Sequence, residues 1–404
     1  MQTYIPNDWF TVPYFRNYSR WNTNRNYPVD PVPPPPPVLM VAGIGKNAIL
    51  TSKDDGKTWT GSKSANSIFK IANIGEYGIG VVSGAIHVAW NGSIWVAAGL
   101  GKNAIATSKD GITWKASKSA NSVFKVLVDV EDDFTITAEC SGVAWNGSLW
   151  VAVSTAGKNA IATSKDGITW TVSKSANSIF KIPGMEEPHG AVDVAWNGKL
   201  WVAAGLGKNA IATSKDGKTW KASKSANSVF NVPEKVSGAE CSSVAWNGSL
   251  WVAASISKNA IGTSKDGITW TASKSANSIF KIPGAFDDVP PNGAVDVAWN
   301  GSLWVAVGLG KNTIATSKDG KTWKASKNSI FKKYGTNKYE GCLGVAWNGS
   351  FWVAVGSVLD PDEIEQSKGK IATSKDGITW TLSKTEKTEL YVSVQSNVSN
   401  YPPY

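Results

Sequence analysis

The sequence predicts an all-β fold, a seven-bladed β-propeller of four-stranded antiparallel blades closed by its C-terminal strand, and three observations carry that prediction. First, a unit of roughly fifty residues recurs along the 404-residue chain. It is clearest over 88–125, and each copy closes on a Thr-Trp pair, at Trp59, Trp114, Trp170, Trp220, Trp270, Trp323 and Trp380. Second, every unit holds four short segments of strand-forming residues separated by turn residues. Third, the chain ends are complementary: the first unit lacks its first strand, and the last is followed by a surplus one at 389–397.

Taken in order in the second unit, strands are expected over 86–91, 94–99, 103–108 and 112–117. Asn91-Gly92 reads as a type I′ hairpin, because both residues tolerate positive φ. Gly99 to Gly101 turns the second strand into the third, and Asp110-Gly111 turns the third into the fourth. No helix is expected, and the SKSANS segment that follows reads as loop. A four-stranded meander cannot bury both faces alone, so it stacks on neighbours, and radial stacking leaves only short protected edges. The surplus strand 389–397 then serves as first strand of the first blade. Nineteen of the 21 Trp obey the repeat, six in Ala-Trp-Asn, six before the Val of the second strand and seven in Thr-Trp, which marks them as packing residues. Leu39 replaces one of them in the first blade.

The chain divides into an N-terminal segment 1–37, rich in Tyr, Trp, Asn and Pro, the propeller 38–398, and a tail 399–404. Pro33 to Pro37 form a stiff polyproline spacer. Ahead of it, Trp9, Phe10, Tyr14, Phe15, Arg16, Arg20 and Trp21 have the composition of an interface anchor. The opening residues show no basic segment followed by an apolar one, and no run of eighteen apolar residues follows. An intracellular or virion location without a membrane span is the expectation.

Thr51 to Trp59, T-S-K-D-D-G-K-T-W, resembles the Asp-box of sialidase-like (BNR) propellers through Ser52, Asp54, Gly56, Thr58 and Trp59. The other six copies, S-K-D-G-x-T-W, are one residue shorter and place Asp110, Asp166, Asp216, Asp266, Asp319 and Asp376 at the same point. The resemblance covers the whole repeat region and implies a structural role for these turns. Propellers of this kind include sialidases, xyloglucan hydrolases, photosystem II assembly factors and lectins. The near-identical copies also resemble the amplified repeat proteins of large DNA viruses.

Sialidase chemistry, as that resemblance frames it, needs an arginine triad, yet the only arginines are Arg16, Arg20 and Arg25. Lysine cannot replace a bidentate fork. Two carboxylates would suffice for other glycoside hydrolysis, but Asp193, Asp296, Glu139, Glu240 and Glu340 recur with a two-unit period. A catalytic pair should instead break the symmetry once. His87 and His189 fall in different units, and no Cys/His spacing fits zinc. Neither an enzyme nor a cofactor nor a metal is expected. Cys140, Cys241 and Cys342 lie in alternate units, too far apart to bridge, so three free buried thiols are expected. The Asn-Gly-Ser sequons are read as turns.

Binding remains. In an up-and-down blade the turns from second to third strand share a face with the inter-blade connections. That face collects Lys102, Asn103, Lys158, Asn159, Lys208, Asn209, Lys258, Asn259, Lys311 and Asn312, together with the acidic variable segments 126–139, 183–190, 283–293 and 357–369. Net charge is +10, but the acidic segments interrupt a basic track and the aromatics are committed to packing, so nucleic acid is disfavoured. The sequence is therefore read as a noncatalytic scaffold, engaging a protein through this face or the N-terminal segment, as in a virion. A multivalent glycan-binding propeller is the alternative.

Overall fold

The Ala-Trp-Asn-Gly segment ends one strand and starts the next, and the cross-strand pair Trp90 and Trp95 brackets the connection. Four residues lie between them, and the Asn91 N–H donates to the Ile94 carbonyl. The Asn91 side-chain oxygen accepts the N–H groups of Ser93 and Ile94. Among the described residues only Asp55 combines a side chain with positive φ, so this is no type I′ turn. Asn-Gly here supplies a side-chain acceptor that caps a longer loop, and only Gly92, at φ +94°, needs glycine's freedom.

A computed structural model describes residues 38–45, 47–70, 83–130, 133–181, 190–231, 239–282, 292–327, 330–331, 334–335, 338–359, 368–383 and 390–396. The expectations for the N-terminal segment 1–37, the tail 399–404, His189 and most of the acidic segments fall outside them. Residues 37–404 form one compact unit.

Within 37–404 the architecture is all-β and propeller-like, built from four-stranded antiparallel meanders. Leu39–Ile44, Ile49–Ser52 and Thr60–Gly61 form the first with Leu390–Ser396. Gly84–Trp90, Trp95–Gly101, Ile105–Ser108 and Lys115–Ala116 form the second, joined to the first through Ile44 opposite Gly84. Five further meanders repeat the order, starting at Gly142–Trp145, Ala191–Trp196, Ser243–Trp246, Ala294–Trp299 and Lys338–Trp347. The surplus C-terminal strand pairs antiparallel with Leu39–Ile44, Val41 facing Val394 and Leu39 facing Ser396. The first strands of successive meanders lie side by side, and Leu390–Ser396 lies beside both Gly84–Trp90 and Lys338–Trp347.

Apolar side chains collect between neighbouring meanders. Val96, Ala98 and Ile105 pack on Val143, Trp150 and Ala152. Likewise Leu39, Val41, Tyr391 and Val394 pack on Val353, Val355 and Ile371. The Trp of each second strand is buried, and in the first meander Leu39 fills that place at 2 % exposure. The three cysteines are free and buried, as expected.

The expected fourth strand is only two residues long, and SKSANS is not a loop. Lys63–Phe69, Lys118–Val123, Lys174–Ile179, Lys224–Val229 and Lys274–Ile279 are short helices. Serine caps three of them, as where the Ser62 hydroxyl accepts the Ala65 N–H. So short a helix, rich in Ser and Asn, is marginal by propensity. Tertiary hydrogen bonds hold it. Ser175 donates to the Lys218 carbonyl and accepts the Trp220 N–H from the next meander, and Ser64, Ser119, Ser225 and Ser275 repeat that staple.

Candidate functional site

The Ser-Lys-Asp-Gly turns are self-contained. In the fourth meander Asp216 accepts the N–H groups of Lys218 and Thr219 and the Ser214 hydroxyl at 2.7 to 2.9 Å. Ser214 in turn accepts the Gly217 N–H, and the Trp220 indole donates to the Gly217 carbonyl. The Thr219 N–H is the largest cause holding the Asp216 carboxyl down at about 2, opposed by partial desolvation. Asp54 also lies at about 2, chiefly through the Thr58 hydroxyl. Asp110, Asp166, Asp266, Asp319 and Asp376 make the same bonds. Trp59, Trp114, Trp170, Trp270, Trp323 and Trp380 are buried beside them.

The even-numbered meanders place His87, Asp193 and Asp296 at one equivalent point, just after a β-bulge in the first strand. Asp193 bridges meanders by accepting the N–H of Val244 at 2.9 Å. Asp296 accepts the Val345 N–H at 2.9 Å and the Ser243 hydroxyl at 2.8 Å. Desolvation raises the Asp296 carboxyl to about 6, the Val345 and Ser243 donors pulling the other way and the charge of Asp193 adding to the rise. Burial holds the His87 imidazole below its ordinary value, against the pull of Asp193. His87 Nε2 lies 3.3 Å from the amide nitrogen of Gln395 in the strand Leu390–Ser396. These acids tie neighbouring sheets together, and among the described residues no group of acids, histidines and cysteines is placed to hold a metal.

Glu139 and Glu240 occupy matching places with different surroundings. Glu139 is buried and accepts from the Ser154 and Thr155 hydroxyls and from the N–H groups of Thr155 and Ala156. In the fifth meander Ser255-Ile256-Ser257 replaces Ser154 to Gly157, one residue shorter and without the threonine. Desolvation raises the Glu240 carboxyl to about 7.

On the opposite end of the meanders from the Ser-Lys-Asp-Gly turns, the predicted lysine–asparagine sites separate into two roles. Asn103, Asn159, Asn209, Asn259 and Asn312 donate to the carbonyls of Ile68, Val123, Ile179, Val229 and Ile279 in the preceding repeat. Their amides are structural ties, a role that the residue type alone does not reveal. Lys102, Lys158, Lys208, Lys258 and Lys311 are exposed. Their backbone N–H groups dock on the carbonyls of Phe69, Lys125, Lys181, Asn231 and Lys281.

No family model matches the chain, and no curated protein does. Solved structures do. A candidate 6-phosphogluconolactonase of Bacteroides fragilis aligns over 91% of this chain and 99% of its own at 14% identity and a TM-score of 0.48. The computationally designed protein Ika8 aligns over 85% and 95% at 10% identity and 0.41. An ancestral GH74 enzyme aligns over 72% of this chain and 40% of its own at 12% identity and 0.37. Such distances say nothing of activity, and the propeller-like fold rests on the strand order above. Among the described residues no helix is long and apolar enough to cross a membrane.

Proposed function

We propose that the chain is a closed seven-bladed propeller of the Asp-box kind that acts as a noncatalytic scaffold, docking a protein partner on its lysine-bearing face. One observation carries the reading. The recurrent Asp, Asn and Ser side chains described above bond to the backbone of their own or the next sheet, whereas the equivalent lysines stand exposed. A surface of repeated, unengaged charge on a rigid frame suits recognition rather than bond-making. Ring closure is supported by the pairing of Leu390–Ser396 with Leu39–Ile44 and by its packing on the seventh meander. The glycan-binding alternative has less support, because the asparagine amides on that face already donate internally.

Co-purification from the native source tests the proposal. A partner in fixed ratio to the chain is expected, and deletion of residues 1–32 should release the pair from any larger assembly, such as a virion, while leaving the propeller folded. Recovery of the chain without a partner, together with turnover of any glycoside in a substrate panel, would overturn it.

A further inference from the structure

The Ser-Lys-Asp-Gly turns leave one end of the meanders, beside the loops that join first to second strands. Five large apolar side chains are exposed among the described residues, and four of them follow the glycine of such a turn: Ile112, Ile168, Ile268 and Ile378, at 43 to 52 %. Lys57, Lys218 and Lys321 take that place in the other three meanders and are exposed as well. The same end carries the charge of the chain. Segments 53–63, 109–118, 165–174, 215–224, 265–274, 318–327 and 375–383 hold nineteen lysines, every one exposed, against eight aspartates. That excess of eleven is larger than the net +10 of the whole chain. The turn aspartates are tied to N–H groups of their own turns, as Asp216 is to those of Lys218 and Thr219, and among the described residues none of these lysines is in an ion pair. The Asn-Gly loops at this end contain no acid. The acidic strand Asp133–Glu139 joins the second meander at Leu100 and Gly101, the far end of its second strand. Lysine and isoleucine are also interleaved. Lys63 lies between Ser62 and Ser64, which both donate to the Ile112 carbonyl of the next meander, and the serines flanking Lys118 and Lys224 do the same at Ile168 and Ile268.

We propose that this end of the meanders rests on an anionic lipid bilayer, with the isoleucines entering the headgroup layer and the lysines facing acidic lipids. The proposal goes beyond the scaffold reading, since it uses the end opposite the one assigned to the protein partner. Aliphatic side chains held in water gain by leaving it, and lysines beside them are drawn to the negative potential of acidic lipids. That combination is the composition of surfaces that lie in a membrane interface. A nucleic acid or sulfated glycan has no use for exposed aliphatics. Its recognition favours the arginine fork and, for bases, exposed aromatics, whereas the chain has no arginine beyond Arg25 and the tryptophans of these turns are buried. Because each turn is braced by its own hydrogen bonds, docking it orders little further chain.

The test sediments the full chain with vesicles of phosphatidylcholine alone and of phosphatidylcholine with roughly 30 % phosphatidylserine. Binding to the mixed vesicles that falls with ionic strength is expected, with none to the neutral ones. The exposed-site quadruple I112S/I168S/I268S/I378S should weaken it by about tenfold or more while leaving tryptophan emission unchanged, and K63E/K118E/K224E should do the same. K102E/K158E/K208E, an equal charge change at the other end of the meanders, should cost only about two- to threefold. Full binding by the isoleucine quadruple would overturn the proposal. Equal losses in the two lysine triples would also overturn it, as net charge alone would then govern binding. Tighter binding to a heparin fragment or oligothymidylate than to the mixed vesicles would overturn the bilayer as the occupant.

Discussion

Replacing Asp296 by Asn should change how stability depends on pH, and with opposite signs at the two ends of the range. The native carboxyl titrates at about 6 rather than 3.8. Below the lower value both folded and unfolded chains hold the proton, and the site adds no penalty. As pH rises, the unfolded chain ionises first, and stability is lost until the native group ionises as well. The loss reaches at most about 3 kcal/mol above pH 6, of which about 2 kcal/mol falls between pH 4.5 and 7.5. Asparagine keeps an oxygen for the Val297 N–H and the Ser243 hydroxyl but turns an amide nitrogen toward the Val345 N–H. That lost bond costs about 1–2 kcal/mol at every pH. Asp296→Asn should therefore be less stable than the parent near pH 4.5 and equal to it or more stable near pH 7.5. Urea unfolding followed by tryptophan emission reads the two curves. Parallel curves across that window would refute the claim that Asp296 is a buried acid held at a cost by its neighbours.

Other expectations follow from the packing. Glu240→Gln should remove a loss of the same sign between about pH 4.5 and 7, whereas Glu139→Gln should lower stability near neutrality by about 1–3 kcal/mol, because only Glu139 has four donors to disappoint. Gly205→Ala places a Cβ 2.2 Å from the Gly190 carbonyl oxygen and 2.6 Å from the Phe180 ring, so calorimetry should show a loss of at least about 1–3 kcal/mol. The three thiols should resist an aromatic disulfide reagent in the folded chain and react together on denaturation, since burial raises each well above the ordinary thiol value. Rapid labelling without denaturant would contradict their placement.

Much of the fold could be read because a repeat writes its packing several times over. Trp150, Trp201, Trp251 and Trp304 sit at one periodic position and are buried at one structural position. What escaped the sequence were interactions between repeats. The helix at Lys174–Ile179 has no propensity signal of its own. It exists because Asn177 accepts the Ala160 N–H and Ser175 reaches Lys218. Asn91-Gly92 reads in the sequence as a type I′ turn because the dipeptide serves two loops, and only the geometry shows its side chain as the acceptor. The lysines could be found as a set, but their pairing depends on which repeat's carbonyl meets which N–H. In the sequence the asparagines beside them read as ligands of a partner, because their type is the same whether the amide faces water or a neighbouring helix.

The fold depends on Leu390–Ser396 pairing antiparallel with Leu39–Ile44, with Val41 opposite Val394. In a background with the three native cysteines replaced by alanine, V41C/V394C should form a disulfide on mild oxidation, since those residues face each other across the ladder. The oxidised protein should then withstand urea better than the reduced one. Failure of this pair to close, while a pair linking Val394 to some other sheet does so, would contradict it.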